Sequence, residues 1–313
     1  ANDTIMLAAG TFALGDAGTS QVVIPHNLTI LGAGMNDSVI QAVADTGTSG
    51  DARGMFVVSP DVSFSMSKLT VDGDSHKIWQ GIRHQGDGTF NQVHFTDIQY
   101  EPGGGAYMGT AIAVFGGSAP QTVSVTNSVF DSIGRVGVLF FGAQVEGTFT
   151  NNTYTGKGAG DHLDYGIEVG GGASATITNN TFANSLGVAS VDGSTSAGVQ
   201  ITTFYGPGSD ATLAGNTFSN NSHGVAIGYD ENDSSDVTFG TSNTFSGAGV
   251  GITVVGNATV NDIENIGGGA ATVEWSGGVN ANAPEGAGLN DQLSGGDGND
   301  TFLGRGGSDT IDG

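Results

Sequence analysis

The chain has 313 residues, enough for one long solenoid or about two ordinary domains, and carries 56 glycines, 6 prolines and no cysteine. That composition excludes a disulfide scaffold, thiol chemistry and a proline-rich linker. Its 31 acidic against 7 basic residues leave a net charge of −24, which excludes nucleic acid and anionic membranes as partners and suits a hard cation such as calcium, or solubility alone.

Residues 1–48 alternate strand-like runs with glycine-rich turns: Thr4-Ile5-Met6-Leu7, Gln21-Val22-Val23-Ile24, Leu28-Thr29-Ile30-Leu31-Gly32 and Ser38-Val39-Ile40. No leader-like segment is read at Ala1, and no apolar run approaches the roughly 18 residues of a membrane-spanning helix. This opening resembles the first rungs of secreted right-handed β-helix proteins of the pectate-lyase type. Residues 49–120 carry the densest mixed charge, in Phe64–Gly73 followed by Asp74-Ser75-His76-Lys77-Ile78-Trp79-Gln80-Gly81-Ile82-Arg83-His84.

From residue 121 a phrase recurs. Asn-Thr-aromatic stands at Asn152-Thr153-Tyr154, Asn180-Thr181-Phe182, Asn216-Thr217-Phe218 and Asn243-Thr244-Phe245, with looser copies ending at Phe95 and Phe130. The aromatic positions lie 24 to 36 residues apart, the period of a solenoid, and the short β-rich runs between turns select a β-solenoid. Asn can bridge stacked rungs through its amide and tolerates the left-handed turn; the aromatics can stack inward. Nine or ten rungs of a single-stranded, all-β, right-handed parallel β-helix are expected over 1–275. Residues 189–209 exceed one rung and are expected to project as a loop; 230–236 form an acidic turn.

Beyond 276 the pattern changes to nine-residue copies at 286–294, 295–303 and 304–312, on the template G-G-x-G-x-D-x-U-x, with Asp291, Asp300 and Asp309 in the sixth place and Leu293, Phe302 and Ile311 in the eighth. These copies resemble the RTX family of calcium-dependent parallel β-rolls. The resemblance implies Ca2+ as cofactor, held by Asp291, Gly295, Asp297, Asp300 and Asp309. It also implies type I export to the extracellular space or cell surface of a Gram-negative bacterium. Copies one and three are expected to stack, with copy two lacking a same-side neighbour.

Six of the seven basic residues (Arg53, Lys68, Lys77, Arg83, Arg135 and Lys157) fall between 53 and 157, and could form a cationic stripe for a polyanionic sugar or scatter as surface ion pairs. Two polar constellations suit proton abstraction beside a carboxylate: Asp72, His76, Lys77, Arg83 and His84; and Tyr154, Lys157, Asp161, His162, Asp164 and Tyr165. Taken alone, each such cluster is more often a solvated polar loop than a site. The order of β-helix then nonapeptides, with Ser67–Gly73 and Lys77, resembles mannuronan C5-epimerases. That resemblance implies catalytic Lys77 and His162, with Arg83, Arg135, Lys157 and Tyr165 expected to bind substrate. The epimerases' Asp-Pro-His-Glu run is missing, since the matching stretch reads Thr110-Ala111-Ile112-Ala113-Val114-Phe115-Gly116-Gly117. Two readings follow: a calcium-binding β-helix that binds or modifies (by epimerisation or lysis) an extracellular uronate-type polysaccharide, and a non-catalytic adhesin or structural module of a larger surface protein.

Overall fold

A computed structural model describes residues 3–15, 18–46, 53–99, 108–247, 249–266, 271–280 and 282–313. Every pairing between its strands is parallel, and the coils from Thr110 to Ser246 each lay one strand on each of three faces. One face is a twelve-stranded sheet whose first ten strands, from Val22–Ile24 through Gln80–His84, Thr110–Phe115, Val136–Phe141, Tyr165–Gly170 and Ala197–Ile201 to Val273–Gly277, are the rungs expected from the sequence. The other two faces merge into one seventeen-stranded sheet through Phe64–Asp72 and Gly88–Thr96, nine-residue strands that bend at Lys68 and Gln92.

The repeat phrase builds the interior. Phe95, Phe130, Tyr154, Phe182, Phe218 and Phe245 occupy one register column. The last three rings stack at 5.2 and 4.9 Å with interplanar angles of 11°. Opposite them runs a column of small residues. A Cβ built on Gly166 would stand 2.5 Å from Phe182 Cδ1 and 2.6 Å from the Gly198 carbonyl, so this row must stay small where the rings press against it.

The asparagines fasten rung to rung. Asn180 Oδ1 accepts the Asn152 N–H at 2.8 Å and Asn216 Oδ1 the Asn180 N–H at 3.0 Å. Asn216 Nδ2 donates to Ile177 O at 2.8 Å and to Asn243 Oδ1 at 3.0 Å. Ser128 closes the ladder below, accepting the Val93 N–H through Oγ at 3.1 Å. One residue earlier in each coil the backbone is left-handed: Lys68, Gln92, Asn127, Asn151, Asn179, Gly215 and Ser242 all have φ between 51° and 69°. Asparagine occupies three of these places because its side chain tolerates that region better than most.

One expectation is corrected. Residues 189–209 are not a single projecting loop: Ala197–Ile201 is a fully buried strand of the twelve-stranded sheet, flanked by two separate loops. The alternation of small and polar residues in Ser194-Thr195-Ser196-Ala197-Gly198 hides the strand.

Asn216→Ala leaves the buried Asn180 N–H and Ile177 carbonyl without partners. It should lower unfolding stability by about 3 kcal/mol, read as a shifted urea midpoint, whereas the exposed Thr217→Ala should change it by no more than about 0.5 kcal/mol.

Candidate functional site

The outer side of the twelve-stranded sheet departs from a bare solenoid. Ala113, Val136, Leu139, Tyr165 and Ala197 form a second buried cluster there, separate from the core, with Phe115, Phe141, Leu163 and Ala226 packed against it. Register places Arg83, Ala113, Leu139, Glu168 and Gln200 in one outward row. Arg83 lays its guanidinium 4.2 Å from the Phe115 ring centroid. The rung Thr110–Phe115 offers this face Thr110, Ala113 and Phe115 and no ionisable group.

Along one edge runs a second column. Arg53 lies one rung from Trp79, and Gly109, Arg135 and Asp164 follow through successive backbone hydrogen bonds. Arg53 is buried, 7% exposed, with its guanidinium carbon 3.5 Å from the Trp79 centroid. Its Nε and Nη1, and the Nε of half-buried Arg135, have no hydrogen-bond acceptor among the described residues.

Of the second polar constellation, Lys157, His162 and Asp164 come together, whereas Tyr154 lies in the internal ring column and Asp161 accepts from Ser190. Lys157 donates its N–H to Asp164 Oδ2 at 2.9 Å and directs its ammonium to the Gly134 carbonyl. His162 Nε2 lies 3.7 Å from the same carboxylate and 3.2 Å from Gly158 O. Burial raises the Asp164 pKa against the pull of the Lys157 N–H, and burial lowers that of Lys157. Burial, then the Glu168 charge, pushes the Tyr165 hydroxyl up, so it stays protonated and donates to Thr195 O at 3.2 Å. The Lys157 ammonium thus turns to a carbonyl of the preceding coil.

Lys77 belongs to another place. Its N–H donates to Asp45 Oδ1 at 2.9 Å, and it stands three rungs from His162, about 14 Å along the axis at the usual strand spacing. The two expected catalytic residues are therefore not brought together. His84 is also corrected: it points inward, edge-on to Phe90 at 5.9 Å, as a core residue. Residues 100–107, next to this edge in the chain, lie outside the described residues.

Residues 80–283 match the family described as right handed beta helix region. The chain belongs to the right-handed β-helix family. No curated protein matches it. Among solved structures, this β-helix is similar to the mannuronan C-5 epimerase AlgE4 A-module of Azotobacter vinelandii, with a TM-score of 0.54 at 16% identity over 100% of this chain and 91% of that one. It is also similar to PfbA, a surface adhesin of Streptococcus pneumoniae, with a TM-score of 0.52 at 14% identity over 98% and 85% of the two chains. At such identities the likeness is one of fold.

The nonapeptide strands Gln292–Ser294 and Thr310–Asp312 continue the β-helix sheet directly beyond Val273–Gly277. Each sixth-place aspartate reaches back 18 residues: Asp291 Oδ1 accepts the Val273 N–H at 2.8 Å, Asp309 Oδ1 the Asp291 N–H at 3.2 Å, and Asp300 Oδ1 the Asn282 N–H at 2.8 Å. Copy two does have a same-side neighbour, contrary to expectation: Thr301 and Leu303 donate N–H groups to Asn282 O and Pro284 O at 3.0 Å. Residues 282–285 lack the repeat template, which is why the sequence hides them as a coil of the same spiral. Asp297 is exposed and Gly295 buried. Among the described residues no group of three or more His, Asp or Glu side chains stands ready for a metal. No helix among them is long and apolar enough to cross a membrane.

Burial pushes the His84 pKa down from 6.5 to about 4, against weaker upward pulls from Asp87. Between these values the unfolded chain takes up a proton that the folded chain does not, so stability should be complete above pH 6.5 and fall as the pH drops towards 4. His84→Leu should flatten this part of the acid slope in urea midpoints measured against pH.

Proposed function

We propose that this β-helix binds an acidic, uronate-type extracellular polysaccharide along the outer side of its twelve-stranded sheet, as a holding surface without turnover. One observation carries the reading: guanidinium N–H groups of Arg53 and Arg135, buried on one edge, lack acceptors among the described residues. Buried donors nearly always find partners, and a sugar carboxylate is a planar acceptor that matches a guanidinium fork. Arg83 extends the same face, and Trp79 fixes the plane of Arg53. Against turnover stand the separation of Lys77 from His162 and the uncharged rung at Ala113. An epimerase module and a surface adhesin share the fold, which accommodates both roles. An extracellular or cell-surface location, reached by type I export, is part of this reading.

Calcium belongs to it at the C-terminal end. The donor set there is hard oxygen, as calcium requires. The first glycine of each copy leaves room that a side chain would fill, over the carboxylates of Asp291, Asp300 and Asp309. Burial and the Asp309 charge raise the Asp291 pKa, a repulsion that a divalent cation would relieve. Asp291 and Asp309 would hold calcium on one side of the spiral, and Asp300 with the turn at Gly295 and Asp297 on the other. Bound there, it supplies cross-links between turns with little apolar core.

Calorimetric titration with oligomers of mannuronate, guluronate and galacturonate should give binding that Arg53→Ala and Arg135→Ala each weaken by about tenfold, the order of a charge-assisted hydrogen bond. The polymer's proton NMR spectrum should be unchanged after incubation. Absence of binding to any acidic oligomer would sink the reading, and new unsaturated ends or inverted C5 centres would replace it with an enzyme.

Limited proteolysis tests the cation separately. Chelation should expose only the segment beyond about residue 286, as should Asp291→Ala, while the β-helix stays protected. Equal protection of that segment with and without chelator would remove calcium from the proposal.

A further inference from the structure

A run of aromatic rings lies along the C-terminal ends of the outer-sheet strands. Phe115 and Phe141 are register partners with centroids 5.9 Å apart; Phe141 meets Tyr205 at 5.6 Å, Tyr205 meets Phe204 at 5.0 Å, and Phe204 meets Tyr229 at 4.8 Å. Phe204, Tyr205 and Tyr229 are 52%, 48% and 54% exposed. Large apolar side chains normally bury; a contiguous exposed group of them marks a contact surface.

The exposed rings are also held in place. Asp233, 2% exposed, receives five hydrogen bonds on its two oxygens. Oδ2 accepts from Thr202 Oγ1 at 2.6 Å, Thr203 N at 2.9 Å and Tyr229 N at 3.1 Å; Oδ1 accepts from Ser235 N at 3.1 Å and Ser235 Oγ at 2.5 Å. One carboxylate thus ties the turn bearing Phe204 and Tyr205 to the turn bearing Tyr229. A loop with no partner gains nothing from rings fixed in solvent, whereas a binding surface gains by ordering them beforehand.

We propose that this aromatic track is a stacking subsite for a linear polysaccharide of pyranose units, and that Asp233 is its positioning residue. The inference rests on the polysaccharide reading above and adds where and how the sugar rings lie. The rings run along the solenoid axis from the rung of Phe115 to that of Tyr229, five rungs separated by four steps of about 4.8 Å, a spacing close to the repeat of a pyranose in an extended chain. The C–H face of a pyranose is apolar and its rim polar, so it can cover a ring while keeping its hydroxyls wet, as an aromatic side chain does with a tip in water. Charge sets the direction. Arg83 stands at one end and Asp230 and Glu231 flank Tyr229 at the other, so carboxylates of the chain belong near Arg83 and uncharged edges near Tyr229.

Calorimetric titration of the full chain with acidic oligosaccharides of increasing length tests this. Affinity should rise with length to about five sugars, one per rung. Phe204→Ala and Tyr205→Ala, both at exposed sites, should keep the melting midpoint and weaken the long oligomers by about tenfold while leaving disaccharides unchanged. Asp233→Asn should cause the same length-selective loss, with faster amide exchange confined to residues 203, 204, 229 and 235. A purely structural Asp233 would change exchange and melting but not the dependence on length. Long oligomers bound equally well by wild type and both alanine variants would overturn the track and leave the polysaccharide reading standing. No binding of any acidic oligomer to wild type would overturn both. Self-association in ultracentrifugation, abolished by Tyr205→Ala without any effect on sugar affinity, would assign the rings to a second copy of the chain instead.

Discussion

The hydrogen bond from one coil's backbone N–H to the next coil's asparagine side chain is the constraint on which the rest of this molecule depends. A solenoid of parallel strands satisfies most backbone groups by stacking, but each corner interrupts the ladder and would leave buried polar groups unmatched. Asn152, Asn180, Asn216 and Asn243 close one corner in succession, each being 2% exposed or less. With that corner fixed, the aromatic two residues later must fall on its predecessor, and the ring column follows. The rings in turn press on the facing sheet and require Gly166 and its neighbours to stay small. Hydrogen bond, ring stack and glycine row are consequences of one corner.

A scaffold fixed in this way frees its exterior. Strands such as Gln121–Thr126 and Ser174–Thr178 alternate buried and exposed positions as a solvated face should. The twelve-stranded sheet does not: Thr110–Phe115 and Tyr165–Gly170 are buried nearly throughout. Loops at the two ends of these strands differ in chemistry. One edge carries Arg53, Trp79, Arg135 and the Lys157–Asp164 loop; the other carries Phe141, Tyr205 and Tyr229 around Asp233. Cationic groups and exposed rings are thereby divided between the edges of a single sheet, at a spacing dictated by the rungs.

The C-terminal nonapeptides extend this geometry with less apolar material. Leu293 is still 2% exposed, but Ile311 is 51% exposed, so the core thins as the spiral passes from rung to repeat. Carboxylates replace the asparagines as acceptors between turns: Asp291 caps Val273 as Asn180 caps Asn152. At this end of the rod the acceptors between turns are thus carboxylates in place of amides.

Local rules were enough for the interior. The Asn-Thr-aromatic phrase set the solenoid, its ring column and the number of rungs, because each residue meets its own counterpart one coil away and repetition makes that contact visible in one dimension. The nonapeptide period revealed the pairing of copies one and three for the same reason. The outer surface obeys no such rule. Arg53 and Arg135, 82 positions apart in the sequence, share an edge because three coils of unequal length separate them, and insertions such as 186–196 change which residues meet there. His84 alternates with Arg83, and only the direction of the strand decides that one enters the core and the other meets Phe115. Asp233, one of four carboxylates between 230 and 236, looked like part of a solvated turn; burial among five donors makes it a hub, and that depends on Thr202 and Thr203 arriving from the previous coil. Repetition wrote the core into the sequence, whereas the candidate site is made of non-repeating residues whose neighbours exist only once the chain has coiled.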